Sequence, residues 1–204
     1  MTKSQASVPG QANVMVVCTA NICRSAMAGA LLARQLDARG VVASVRSAGM
    51  LREGDPSPSE VISAMAVYGI DAGSHRSRVV GAGDLAAADL VLAMARDHLR
   101  RAVVALPEAW PRAFTLRELV RRGERIGPRG PGEKLAGWLA RAHADRERWR
   151  LLGQSDEDDV ADPTGGPPQA YADTAKLLDR LTRRLAELAW GQSGREPAAD
   201  PPGG

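Results

Sequence analysis

Aromatic side chains are scarce in this chain: four Trp, two Tyr and one Phe make up 3% of 204 residues. With so few rings the core has to be built mainly from Ala, Val and Leu. Platforms for stacking single-stranded nucleic acid have little material to draw on. Cysteine is scarcer still. Cys18 and Cys23 are the only two and lie close together near the start, which excludes a secreted disulfide scaffold and favours a reducing, cytoplasmic setting. No stretch approaches the roughly 18 consecutive apolar residues of a membrane span, so membrane insertion is not expected. Residues 1–13 contain one lysine, no long apolar run and no cleavage pattern, so no signal peptide is read there. An excess of one charge is also missing. Lys and Arg number 27 against 24 Asp and Glu, a net +3 that is mild for a nucleic-acid binder.

The length suits about one domain. Hydrophobic residues at 44% and charged residues at 25% describe an ordinary globular chain. Residues 1–13 and 191–204 are rich in Gly, Pro, Ser and Ala and are expected to be disordered tails. Between them, over residues 14–190, short apolar runs alternate with helical patterns, the signature of parallel strands joined by crossover helices. Strands are predicted at Val14 to Val17, Ala43 to Ser47, Leu90 to Ala93 and Ala113 to Thr115. Helices are predicted at about Met27 to Arg39, Ser59 to Tyr68, Leu116 to Val120 and Ala170 to Trp190. The last has the clearest stripe, with Tyr171, Ala175, Leu178, Leu181, Leu185 and Leu188 at spacings of three and four. The prediction is a single doubly wound α/β domain, a four-stranded parallel sheet with helices on both faces.

The segment 122–159 is harder to place. Gly127 to Gly132 reads as a loop, and Leu135, Trp138, Leu139, Ala142 and Trp149 space out like one helix face. From Arg112 to Arg150 there are eleven Lys and Arg against five Asp and Glu. Such a run is expected to be a solvated face, with docking of an acidic partner or lipid surface as the alternative. The acidic group Asp156, Glu157, Asp158 and Asp159 follows and can neutralise it.

The chemistry concentrates between Val14 and Leu32. A strand ends at Cys18, five residues intervene, and Arg24 and Ser25 open a helix. A short loop there can turn its amides inward, and the helix N-terminus adds unpaired donors and the positive end of its dipole. That cradle suits a phosphate-sized anion and favours the thiolate of Cys18, the nucleophilic form. Arg24 offers a planar fork to two phosphate oxygens, which a lysine would not reproduce. Ser25 can donate its hydroxyl to the thiolate. Asn21 tolerates left-handed backbone angles and can hold the sharp turn. A metal site is disfavoured, because two Cys and three scattered His do not match zinc spacings.

At these residues the sequence resembles the low-molecular-weight protein tyrosine phosphatases. That family's loop, Cys-x-x-Asn-x-Cys-Arg-Ser, is matched by Cys18, Asn21, Cys23, Arg24 and Ser25. Further landmarks follow in family order: Ser47-Ala48-Gly49, the run Ser74 to Arg78, the strand Asp89 to Met94, and Asp162-Pro163 before the last helix. The likeness extends from about Asn13 to Trp190. It implies that Asp162 is the general acid, that Thr19, Ala20, Asn21, Ile22, Cys23, Arg24 and Ser25 bind phosphate, and that Ser47 and His75 join a hydrogen-bond network behind the loop. The implied reaction is hydrolysis of a phosphomonoester, phosphotyrosine on a protein, through a phosphocysteine and without a cofactor. Cys23, five positions after Cys18, is expected to shield it in a reversible disulfide, with a small buried residue at the helix start as the alternative.

The chain departs from the family pattern at three places. Ala20 and Ala26 stand where Gly and Pro are usual, and Ala20 fits if its backbone angles stay ordinary. After Asp162 the family's substrate-walling aromatics are replaced by Thr164-Gly165-Gly166. Only Trp110, Trp138 or Trp149 folding over the mouth would restore a wall. Ile22, however, is typical of tyrosine-directed members, whereas arginine-phosphate-directed members have Thr there. An arsenate reductase using a small-molecule thiol and a non-catalytic phosphate-binding domain are the rival readings. The composition, heavy in Ala, Arg and Gly, suggests a GC-rich genome, in keeping with a bacterial member.

Overall fold

In the computed structural model, which describes residues 11–191, four strands form one parallel sheet in the order β2-β1-β3-β4. They are β1 (Ala12–Cys18), β2 (Ala43–Gly49), β3 (Leu90–Ala93) and β4 (Ala113–Thr115). Val14, Met15, Val16 and Val17 are all buried, because a central parallel strand is covered on both faces. Alternation divides these side chains between two cores. Val14, Val16 and Cys18 join Leu90, Leu92 and Phe114 on one face. Met15 and Val17 join Val91, Ala93 and Ala113 on the other.

Helices α1 (Arg24–Asp37), α2 (Ser59–Ala66), α5 (Leu116–Ile126), α6 (Leu135–His143) and α7 (Pro168–Trp190) contribute to the first core. The short α3 (Ala82–Ala86), α4 (Arg96–Ala105) and a 3-10 turn over Pro107–Arg112 cover the other face. The doubly wound architecture is therefore as predicted. The chain runs outward from β1 to β2 and then returns to place β3 on the opposite side of β1. This reversal makes the C-terminal ends of β1 and β3 the topological switch point, where parallel α/β sheets bind ligands.

Several boundaries differ from expectation. Ala12 and Asn13, assigned to a tail, already pair in β1, and the Asn13 amide donates to the Asp89 carboxylate at 2.8 Å. Residues 1–10 and 192–204 of the expected tails lie outside the described residues. Helix α5 continues past Val120 to Ile126. Its start is stabilised by Thr115, whose hydroxyl accepts from the Glu118 amide at 3.1 Å. The helical face projected from Leu135 to Trp149 breaks after His143, where Asp145 takes φ +64°. Trp149 instead sits on a second 3-10 turn, Arg148–Leu151, and is 63% exposed. Helix α4 had no counterpart in the pattern reading, because its polar residues mask a short buried stripe of His98, Leu99, Ala102 and Val103.

The basic run is solvated only in part: Arg121, Arg125, Lys134, Arg141, Arg148 and Arg150 are exposed. Arg146 is buried between the rings of Trp110 and Phe114, 3.8 and 4.0 Å from their centroids, and donates to both Glu118 oxygens. Arg122 pairs with the same Glu118, Arg141 with Glu133, and Arg121 with Asp158. Arg112 and Arg129 donate to backbone carbonyls. These pairs tie the irregular segment to the rest of the domain. Among the described residues no helix is long and apolar enough to cross a membrane.

Candidate active site

The loop between β1 and α1 is shaped by Asn21, the residue whose backbone turns left-handed at φ +57°. Its side chain is fully buried and works in three directions. The amide nitrogen donates to the hydroxyls of Ser25 and Ser47, each at 2.9 Å, and the side-chain oxygen accepts from the Arg78 amide at 3.1 Å. His75 Nε2 donates to the Asn21 carbonyl at 2.6 Å. The structure thus brings Ser47 and His75 to Asn21 from 26 and 54 residues away. Ala20 keeps a negative φ, so the missing glycine costs nothing there.

Cys18 Sγ lies 3.0 Å from Ser25 Oγ and accepts from the Asn21 amide at 3.3 Å. These contacts hold the sulfur beside the N-terminus of α1. Cys23 is different. Burial, the Asp162 carboxylate and Cys18 push its thiol up to about 12, against the Arg24 guanidinium, so at neutral pH it stays protonated. Both cysteines are free and buried.

The loop makes its closest approach to the sheet at Gly49, which faces Cys18 in the β1–β2 register. A Cβ on Gly49 would lie 2.8 Å from the Ala20 carbonyl carbon and 2.9 Å from Thr19 O and Asn21 N. The Met50 amide then donates to Thr19 O at 2.7 Å. The run Ser47-Ala48-Gly49 therefore forms the back wall of the loop.

Asp162 reaches the site from far along the chain. Arg24 Nη2 donates to Asp162 Oδ2 at 2.5 Å, and Nη1 donates to the Val160 carbonyl at 3.2 Å. The Thr164 amide and hydroxyl both donate to Asp162 Oδ1, leaving the carboxyl oriented but 44% exposed. A phosphoryl group entering the loop competes with Asp162 for Arg24. The neighbouring acids have other work. Asp159 accepts from the Arg96 amide at the start of α4, and buried Asp158 accepts from Arg96 and Arg121. Val160 is held by the Met94 carbonyl at the end of β3.

Burial alone would raise Asp158, but the hydrogen bonds from Arg121 and Arg96 outweigh it and hold its carboxyl below the usual value. A depressed carboxyl stabilises the fold above the unfolded-state pKa of about 4 and loses that contribution as pH falls through the lower folded value. Asp158→Asn is expected to cost about 2–3 kcal/mol at neutral pH by removing charge-assisted bonds from a buried site. The gap from wild type should close below about pH 4, where the native carboxyl protonates as well. Denaturant melts across this range check both statements.

No aromatic wall forms from the predicted tryptophans. Trp110 and Trp138 are buried in the two cores, and exposed Trp149 stacks with Arg150. Tyr171 supports the turn after Asp162 from behind, its hydroxyl accepting from the Gly165 amide at 3.3 Å. A cavity of about 1070 Å³ lies at the opposite ends of the strands, beside Ala12, Asp89 and Trp190, and is lined by none of the residues around Cys18.

One neighbour escaped the sequence reading. His98, in the first turn of α4, places Nε2 2.8 Å from Thr19 Oγ1. Its only signal was topological, since the helix after β3 starts beside the end of β1.

Comparison with known proteins agrees with this geometry. A family model described as low molecular weight phosphotyrosine protein phosphatase matches residues 13–126. A protein-arginine-phosphatase of Geobacillus stearothermophilus is 32% identical over 85% of this chain and 93% of its own length. The low molecular weight protein tyrosine phosphatase of T. tengcongensis superposes with a TM-score of 0.64 at 33% identity, covering 86% of this chain and 98% of that one. A YwlE arginine phosphatase mutant, solved with its active-site serine phosphorylated, gives a TM-score of 0.65 at 26% identity over 86% and 93% of the two chains. The family model stops at the end of α5, short of Asp162, so the ion pair with Arg24 is what joins that aspartate to the matched loop. A thiol set in the β1–α1 turn at the switch point, together with this match over more than half its length, makes the chain a member of the low molecular weight phosphotyrosine protein phosphatase family.

Proposed function

We propose that this chain hydrolyses phosphomonoesters on proteins, phosphotyrosine first among them, with residues 14–190 as its catalytic domain and the cytoplasm as its location. One observation carries this reading: Arg24 and Asp162, 138 residues apart in sequence, meet at 2.5 Å, and Arg24 immediately precedes the Ser25 that holds Cys18. A nucleophile, an anion clamp and a proton carrier converge on one point.

The Cys18 thiolate attacks phosphorus. The S–P bond forms as the bond to the leaving oxygen breaks, and Asp162 transfers its proton to that oxygen. Arg24 and the amides from Thr19 to Ser25 stabilise charge on the equatorial oxygens, the role a metal ion fills in other phosphoryl transfers. Water then attacks the phosphocysteine, Asp162 takes its proton, the S–P bond breaks and phosphate leaves. The phosphorylated serine in the related arginine phosphatase mutant supports a covalent phosphoenzyme. Cys23 serves as redox guard: peroxide oxidises Cys18 to a sulfenic acid, which condenses with the Cys23 thiol to a disulfide and releases water.

A second reading, phosphoarginine, is favoured by the whole-length similarity to an arginine phosphatase and by Thr164 in place of a ring-walling aromatic. Peptides carrying phosphotyrosine, phosphoarginine or phosphoserine, and arsenate with a thiol donor, separate the candidates. Turnover of phosphotyrosine supports the first reading. Turnover of phosphoarginine alone selects the second, and arsenate reduction without phosphatase activity overturns both. Asp162→Asn is expected to lower kcat on phosphotyrosine by about 10²–10⁴-fold, the range for a positioned general acid, with a much smaller change in KM.

A further inference from the structure

His98 is 4% exposed, yet its polar ring is not used in the phosphatase scheme. Nε2 lies 2.8 Å from the Thr19 hydroxyl, and Nδ1 is buried with no hydrogen-bond partner. Burial first, then the Arg24 guanidinium, push this imidazole down to about 4, against the nearby carboxylates of Asp97, Asp159 and Asp162. The ring is therefore neutral at physiological pH and carries a single proton. Buried N–H groups without a partner are rarer than under-satisfied acceptors, which puts that proton on Nε2 and leaves Nδ1 as the bare acceptor. Nε2–H then donates to Thr19 Oγ1. Because an oxygen that accepts from His98 still has its own proton to give, the bond orients the hydroxyl as a donor. Among the described residues His98 is the one hydrogen-bond partner of that hydroxyl.

Thr19 is the first residue after the nucleophile, and its backbone is already pinned by the Met50 amide from the β2 side. His98 grips its side chain from the α4 side. We propose that His98 is a positioning residue: through Thr19 it fixes a hydroxyl donor for the phosphoryl group bound in the loop. Thr19 touches the substrate and His98 acts through it. This builds on the phosphatase reading, so inorganic phosphate binding is measured separately from turnover.

The test pairs steady-state kinetics on an aryl phosphate with calorimetric titration of inorganic phosphate, using wild type, Thr19→Val, Thr19→Ser, His98→Leu, His98→Gln and the double variant Thr19→Val/His98→Leu. Thr19→Val and His98→Leu should each weaken phosphate binding about tenfold, as loss of a hydrogen bond to a charged ligand does, and raise KM more than they lower kcat. The double variant should be no worse than either single one, since both remove the same contact. Thr19→Ser should bind phosphate close to wild type, and His98→Gln, which can replace the Nε2 donor, should recover most of the loss. Additive losses in the double variant would overturn the proposal, as would unchanged phosphate affinity in Thr19→Val. That second measurement decides the matter even if His98→Leu fails to fold. Phosphate binding that follows this pattern in a protein with no aryl phosphatase turnover would sink the phosphatase reading and leave the Thr19 contact standing.

Discussion

Cys18→Ser is expected to lower kcat on an aryl phosphate by on the order of 10⁴-fold, about 5.5 kcal/mol of barrier. The side chain is 3% exposed and nearly isosteric with serine, so the melting temperature should move by only a few degrees. The two effects differ because a hydroxyl can keep the hydrogen bonds to Ser25 and the Asn21 amide but is a poor nucleophile at its ordinary pKa. Product formation in single-turnover mixing, together with a melt, checks the pair. Turnover equal to wild type in a folded Cys18→Ser variant would rule the phosphocysteine out. Cys23 does not provide a substitute, because its thiol, pushed up to about 12, stays protonated at neutral pH.

Gly49→Ala should lower stability and activity together. The added carbon would meet three backbone atoms of the loop, at 2.8–2.9 Å from Ala20, Asn21 and Thr19. Backbone cannot swing aside as a flexible side chain can, so either the loop or β2 must shift. Overpacking of this kind costs about 1–3 kcal/mol. A displacement of the loop on the order of 1 Å costs about 10²-fold in rate, because the amides and Arg24 no longer converge on the phosphoryl group. A variant with wild-type melting temperature and wild-type kcat/KM would show that the loop tolerates the displacement. The nearby Gly29→Ala is a useful control, since its Cβ would lie 3.4 Å from Ser47 Cβ, ordinary contact.

Legibility in the sequence followed the range of the forces involved. The central strands β1 and β3 were readable because burial on both faces leaves unbroken apolar runs such as Val14 to Val17 and Leu90 to Ala93. The stripe on α7 was readable because Leu178, Leu185 and Leu188 face one core. Helix α4 was missed because only a few of its residues are buried and charged ones intervene. The inward-facing part of the basic run was not legible because counts of charge do not show direction. Arg146 points inward between two rings, where Glu118 and the aromatic faces compensate its charge.

By itself the sequence determined the fold class and the turn that carries Cys18, because strand, loop and helix N-terminus are contiguous between Ala12 and Asp37. The spacing from Cys18 to Arg24 and Ser25 sets that local geometry. Only the tertiary structure decided what surrounds the turn. Asp162 meets Arg24, Gly49 backs the loop, and His98 holds Thr19, all across separations over which sequence spacing carries no distance. The scarcity of aromatics was visible from the start, but burial of Trp110 and Trp138 in the cores is what leaves the mouth without an aromatic wall from them. The chemistry at phosphorus is therefore local, whereas the choice of leaving group depends on side chains that only packing of the sheet, α4 and the Asp162 loop brings into range.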